Sequence, residues 1–103
     1  MNIGQAIKAI RKQKKLTQVE LADASGITQT ALSQLESGRK RPGPGTLQKL
    51  CGALEIPELL IYLLAMEEVD IPAGKKDMYK LLYPSIRGLA LQLVGRAEDE
   101  VFE

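Results

Sequence analysis

Residues 16–42 read LTQVELADASGITQTALSQLESGRKRP, and this stretch decides the fold. It holds the pattern of two short helices, each opening on a threonine, joined through Gly26 and followed at once by a basic loop. Thr17 and Glu20 stand at capping-box spacing, in which a hydroxyl and a carboxylate close the orphan N–H groups of a helix start. Leu21 and Ala22 supply apolar residues at helical spacing. Ser25-Gly26 ends that helix where glycine takes a positive φ at little cost. Thr28 caps a second segment, Gln29 to Ser37, with Ala31, Leu32 and Leu35 on one face. The other face carries Gln29, Thr30, Ser33 and Gln34. Ordinary surface helices prefer Glu and Lys. Amides and hydroxyls are groups that can read base edges in a DNA major groove.

Outward from this stretch the helical pattern continues in both directions. Asn2 can cap a first helix running to about Lys14, with Ile3, Ile7 and Ile10 inside and Lys8, Lys12 and Lys15 as a basic ridge outside. Ser37-Gly38 stops the third helix, and Arg39-Lys40-Arg41-Pro42 cannot continue it. Gly43 and Pro44 suit the cap and first position of a fourth helix, whose inner face is Leu47, Leu50 and Leu54. Pro57 opens a fifth helix, expected to reach about Glu68 and apolar all round from Leu59 to Met66, which demands cover on more than one side.

The segments IGQAIKAIRKQKKLTQ (3–18), ELADASGIT (20–28), LSQLESGRKRP (32–42) and TLQKLCGALEI (46–56) together resemble the phage-repressor and Cro type of helix-turn-helix domain, the xenobiotic-response-element family. The resemblance runs from about Ile3 to Leu64. It implies an all-α, lambda-repressor-like bundle of five helices, with Gln18–Ser25 as the first motif helix and Gln29–Ser37 as the recognition helix. It also implies a structural ion pair between Arg11 and Glu36, and a phosphate contact by Gln18 at the start of the first motif helix. Lys15 and Glu55 depart from the family pattern, standing where glycine often follows a helix, so those turns are expected to be strained or differently shaped.

Charge supports this division. Residues 1–54 hold nine Lys or Arg against three Asp or Glu, and residues 55–103 hold five against ten, although the whole chain carries only +1. A basic half coinciding with the motif is the half to present to a polyanion. For base reading the residues expected are Gln29, Thr30, Ser33 and Gln34. For phosphate they are Gln18, Arg39, Lys40 and Arg41, with Thr28 read equally as donor or plain cap. DNA is therefore the expected partner, and residues 1–68 the DNA-binding domain.

Residues 69–103 read as a C-terminal helical segment for oligomerisation or interaction. Val69 to Gly74 forms a short linker. Beyond it Met78, Leu82, Ile86, Leu89, Leu93 and Ala97 recur at spacings of three and four. Pro84 is expected to split this stripe into a short helix before Tyr83 and a longer one from about Ser85 to Asp99. The stripe either covers its own subunit or packs on a mate, and Leu60, Leu63, Leu64, Leu82, Ile86, Leu89 and Leu93 are the residues expected to dimerise. The acidic end (Glu98, Asp99, Glu100, Glu103) is expected to fray.

Enzymatic readings are poor. There is no histidine, the commonest general base and zinc ligand, and the one cysteine, Cys51, reads as a small buried hydrophobe. No phosphate loop of nucleotide-binding spacing occurs, so neither catalysis, cofactor nor metal is expected. The absence of a signal segment points to the cytoplasm, and the resemblance implies a bacterial or phage-encoded protein. The apolar run 59–66 is too short for the roughly 20 residues a membrane span needs. Two functions fit: a homodimeric repressor on a palindromic operator, or an antitoxin-type protein that binds a protein partner through its C-terminal half and autoregulates through DNA.

Overall fold

Asn2 opens α1 (Ile3–Gln13) by accepting the Gln5 N–H on its Oδ1 at 3.0 Å. The computed structural model describes residues 1–95, and every regular element among them is helical. Thr17 caps α2 (Gln18–Ser25) with the full reciprocal capping box. Glu20 accepts the Thr17 N–H at 2.8 Å while Thr17 Oγ1 accepts the Glu20 N–H at 3.1 Å. The Thr17 N–H, more than its hydroxyl, holds the Glu20 carboxyl below its ordinary pKa. Thr28 caps α3 (Gln29–Glu36) through the Ala31 N–H, and α4 (Pro44–Leu54) opens with proline in its first turn. The last two helices are α5 (Glu58–Ala65) and α6 (Lys76–Val94), joined by two short 3-10 turns, Glu68–Asp70 and Ala73–Lys75.

The first four helices end by one device. The Leu16 N–H reaches the Arg11 carbonyl, Ile27 reaches Ala22, Arg39 reaches Gln34 and Ile56 reaches Cys51. In each case the preceding residue closes a tighter bond inside that loop, the Schellman arrangement, which requires one left-handed residue. Gly26 and Gly38 fill that position at φ 72° and 82°. Lys15 and Glu55 fill it in α1 and α4 at φ 58° and 57°. The turns thus keep the glycine shape without glycine, which is the expected strain.

The core is one continuous cluster in which Ile7, Ile10, Leu21, Leu32, Leu50, Leu54 and Ile61 are fully buried. α1 packs against α3 and α5, α2 against α3 and α4, and α6 against α5 and α1. At the α1–α3 crossing the backbones nearly touch. A Cβ placed on Gly4 would lie 2.1 Å from the Leu35 carbonyl oxygen, so only glycine permits the approach. Gly4, Ile7 and Arg11 share one face of α1, and Arg11 ends that face inside the bundle. Its Nε donates to Glu36 Oε2 at 2.7 Å and its Nη2 to Glu36 Oε1 at 3.0 Å. Its Nη1 donates to the Leu16 carbonyl at 2.7 Å. Both side chains are buried, and the carboxylate is bound in the bidentate fork that suits guanidinium.

Three expectations need correction. α5 stops at Ala65, not near Glu68, because Met66 turns extended and its neighbours are tied elsewhere. The Asn2 N–H donates to the Ala65 carbonyl at 2.8 Å, and Asp70 Oδ2 accepts the Glu67 N–H at 2.8 Å. Asp70 and Glu67 together hold the N-terminal ammonium. Second, Pro84 does not divide the C-terminal stripe: α6 runs through it as one 19-residue helix. An interior proline costs a helix about 3 kcal/mol, but α6 is fastened on both sides of it. Before it, the stacked rings of Tyr79 and Tyr83 place their hydroxyls on the Met66 and Leu63 carbonyls at 3.1 and 2.8 Å. After it, Ala90 and Val94 enter the core. Burial pushes the pKa of both tyrosines up. Third, Leu60 and Leu64 lie in the core of their own subunit and are not available to a mate. Ala97 and the acidic end from Glu98 lie outside the described residues, as does the expected helix end at Asp99.

Gly4→Ala is expected to cost at the upper end of the roughly 1–3 kcal/mol of overpacked sites, since both clashing groups are backbone. Chemical denaturation monitored by circular dichroism measures it. Glu55→Gly should act oppositely, relieving a left-handed residue and raising stability by up to about 1 kcal/mol. An unchanged or lower midpoint would show that the turn carries no strain. Arg11→Ala leaves the buried Glu36 carboxylate without its cation, held only by the neutral Gln18 amide, and should cost about 3–5 kcal/mol. A melting temperature equal to wild type would remove the ion pair from this account.

Candidate nucleic-acid interface

The outward wall of α3 is open. Gln29, Thr30 and Ser33 are exposed, and Gln34 is half-buried at the edge of the same wall. The opposite wall, Leu32 and Leu35, is in the core, so packing fixes which side chains protrude. At eight residues α3 is about 12 Å long, similar to the width of a B-DNA major groove. Thr28 is exposed, with its Oγ1 engaged as the cap acceptor. That hydroxyl keeps its hydrogen as a donor.

The basic loop is held by the end of the helix it follows. The Gln34 carbonyl accepts the Arg39 N–H at 3.0 Å, the Lys40 N–H at 3.3 Å and the Ser37 hydroxyl at 3.1 Å. Three donors on one carbonyl fold the chain back on α3 and leave Arg39, Lys40 and Arg41 exposed beside it. In the other three helix ends of this type, the residue donating the long bond is Leu16, Ile27 or Ile56, which packs against or within the core. At α3 that position is Arg39. One backbone device therefore turns an apolar side chain inward three times and a cation outward once.

Gln18, the first residue of α2, is half-buried, and its Nε2 donates to Glu36 Oε1 at 3.1 Å. The carboxylate that binds Arg11 thus also holds the Gln18 amide, leaving one N–H of that amide and its oxygen uncommitted by this bond. Sequence spacing could not show this, because residues 18 and 36 meet only in the folded chain. Of the helix-one lysines, Lys12 and Lys15 are exposed and Lys8 is half-buried.

A second surface stands apart from this one. Leu82, Ile86, Leu89 and Leu93 of α6 are exposed, and Leu63 is half-buried beside them. Met78, the start of the expected stripe, is exposed too, and Leu59 and Tyr62 of α5 are exposed apolar residues that were not among the expected dimer residues. The cause is helical phase. Leu60, Ile61, Leu64 and Ala65 take the inner face of α5, so its outer face must be Leu59, Tyr62 and Leu63. An all-apolar helix gives no periodicity from which to read that phase. Cys51 is buried, and burial pushes its thiol pKa up, away from a reactive thiolate. Among the described residues no group of His, Cys, Asp and Glu is arranged to hold a metal, and no helix is long and apolar enough to cross a membrane.

Comparison with known proteins agrees with this geometry. A helix-turn-helix family model matches residues 7–61, which include α2, α3 and the basic loop. The immunity repressor protein of Bacillus phage phi105 is 46% identical over 56 residues, covering 54% of this chain and 39% of its own. The transcriptional repressor RghR of Bacillus subtilis is 40% identical over 63 residues, covering 59% of this chain and 47% of its own. The chain thus spans less than half the length of these two curated relatives. The ImmF control region 10 kDa protein of phage phi105 is 35% identical over 69 residues, covering 67% of this chain and 73% of its own. With the family model spanning more than half of its residues, this chain belongs to the helix-turn-helix family that includes the phage repressors.

Proposed function

We propose that this protein is a transcriptional repressor that binds a palindromic operator in double-stranded DNA as a homodimer. The observation that carries the reading is the uncovered amide-and-hydroxyl wall of α3, flanked by a fixed amide and a fixed basic loop. Gln29 and Thr30, with Ser33 and Gln34 one turn on, read bases: an amide can pair twice with adenine, and a threonine methyl can meet thymine. Gln18, Arg39, Lys40 and Arg41 grip phosphates on either side and set the register of the helix in the groove. Thr28 serves as the cap and offers its hydroxyl hydrogen to the same backbone.

The exposed apolar face of α6 and α5 supports the dimer reading, because large contiguous apolar patches mark interaction surfaces. A two-fold axis would set two copies of α3 in successive major grooves, about 34–36 Å apart or a multiple of it. Occluding a promoter is the simplest mechanism for such a chain, and the relatives named as repressors support that direction. The acidic second half then faces away from the DNA, and the protein acts in the cytoplasm, where the DNA is.

Selection of bound fragments from random duplex DNA tests this. The expected product is a palindrome whose half-sites are one or more helical turns apart. Gln29→Ala with Thr30→Ala should relax base preference, each lost bidentate contact removing about 1–3 kcal/mol of discrimination. Arg39→Ala should weaken all sequences alike and reduce the salt slope by about one. No enrichment, or an affinity indifferent to salt, would refute DNA binding.

A further inference from the structure

We propose that two copies of this chain associate through an antiparallel α6–α6 seam, in which Leu89 and Leu93 of each copy fill the apolar groove between α5 and α6 of the other. The inference rests on the homodimer reading and specifies its geometry. A groove of about 220 Å³ lies between Leu63 of α5 with Met66 just after it and the first half of α6 (Met78, Leu82, Ile86). Its lining is almost wholly apolar, with Lys75 the one charged side chain among the described residues.

The second half of the same helix presents the opposite shape. On this stripe Leu89 and Leu93 are 62% and 74% exposed, against 55%, 48% and 40% for Met78, Leu82 and Ile86. One helix therefore offers a hollow at its start and projecting leucines toward its end, on one continuous stripe. A two-fold interface is self-complementary: whatever one subunit offers, its mate must receive. The pairs Met78–Leu93 and Leu82–Leu89 share a midpoint, between Ser85 and Ile86. An axis at that point sets Leu89 against Leu82 and Leu93 against Met78 in both directions at once. A parallel pairing would set projection against projection and leave both grooves empty.

The area agrees with a second copy. With Leu59 and Tyr62 of α5, the exposed parts of this face come to roughly 700 Å² per subunit, close to the ~800 Å² per partner of a standard interface. It exceeds the roughly 300–600 Å² of the largest patch on a typical monomer. The α6 helix is also held firmly enough to serve, fastened by two tyrosine hydroxyls before Pro84 and by Ala90 and Val94 after it.

Cysteine cross-linking of the full chain tests the seam, with the wild type as control because Cys51 is buried. In the antiparallel register Leu82 lies about 10 Å along the helix from its own counterpart, too far for a disulfide, whose Cβ atoms sit about 3.5–4.5 Å apart. Under mild oxidation Leu82→Cys alone should stay uncross-linked. Mixed with Leu89→Cys, it should give a disulfide-linked heterodimer. Leu89→Asp with Leu93→Asp should convert the dimer to a folded monomer by sedimentation, with unchanged helicity. Self-linking of Leu82→Cys, or no link in the mixture, overturns the seam while wild-type dimers sustain the homodimer reading. Wild-type protein that sediments as a monomer at concentrations that saturate its operator overturns both.

Discussion

One buried carboxylate organises the surface proposed to meet DNA. Glu36 lies at the end of α3 and takes two bonds from Arg11 of α1 and one from Gln18 of α2. Arg11 in turn holds the Leu16 carbonyl, one residue before the cap of α2. Three helices and the turn between two of them therefore meet at two charged side chains. Removing both charges from water is costly, and such a pair can do little better for stability than apolar residues of the same shape. What it supplies is direction: a bidentate fork tolerates little rotation, so α3 cannot turn about its axis without breaking it. An apolar contact would allow repacking that reorients Gln29 and Thr30. A helix that reads bases by side-chain geometry needs its orientation fixed more than it needs extra stability.

Gly4 is the steric half of the same constraint. The ion pair draws α1 and α3 together at one point, and the absent Cβ at Gly4 lets their backbones close about two turns away. Either feature alone would leave a pivot. Together they fix the end of α3 at two levels of α1, and the N-terminal stretch is fixed again by the Asn2–Ala65 bond.

The sequence carried the motif almost residue for residue because its signals are local. Thr17 with Glu20, Thr28 with Ala31, Asn2 with Gln5, and Gly43-Pro44 each act within one turn, and every one forms as its spacing requires. What was not legible depends on contacts distant in the chain. The phase of α5 is set by which leucines meet α1, and an all-apolar run cannot announce that Leu60 and Leu64 belong to the core. The break expected at Pro84 follows from propensity alone. Tyr79 and Tyr83 reverse it by reaching carbonyls thirteen and twenty residues away. Gly4 did leave a trace: a lone glycine inside a helical pattern is costly and calls for a packing reason. Lys15 and Glu55 show the converse, since a turn demanded by the surrounding bonds holds its left-handed shape even where the residue resists it.

In the proposed homodimer the two surfaces work in combination. A single α3 with a few phosphate contacts offers limited base reading. Joining two such units makes the second contact intramolecular, so affinity and specificity rise without new chemistry on either helix. That gain exists only if the dimer fixes the distance and angle between the two copies of α3. A loosely tethered α6 would forfeit it. The tyrosine hydroxyls on α5 carbonyls and the seating of Ala90 and Val94 make α6 part of the same core that positions α3. In the proposed dimer the path from seam to α3 would run through α5, α1 and the Arg11–Glu36 pair, so geometry set at one end would be delivered at the other.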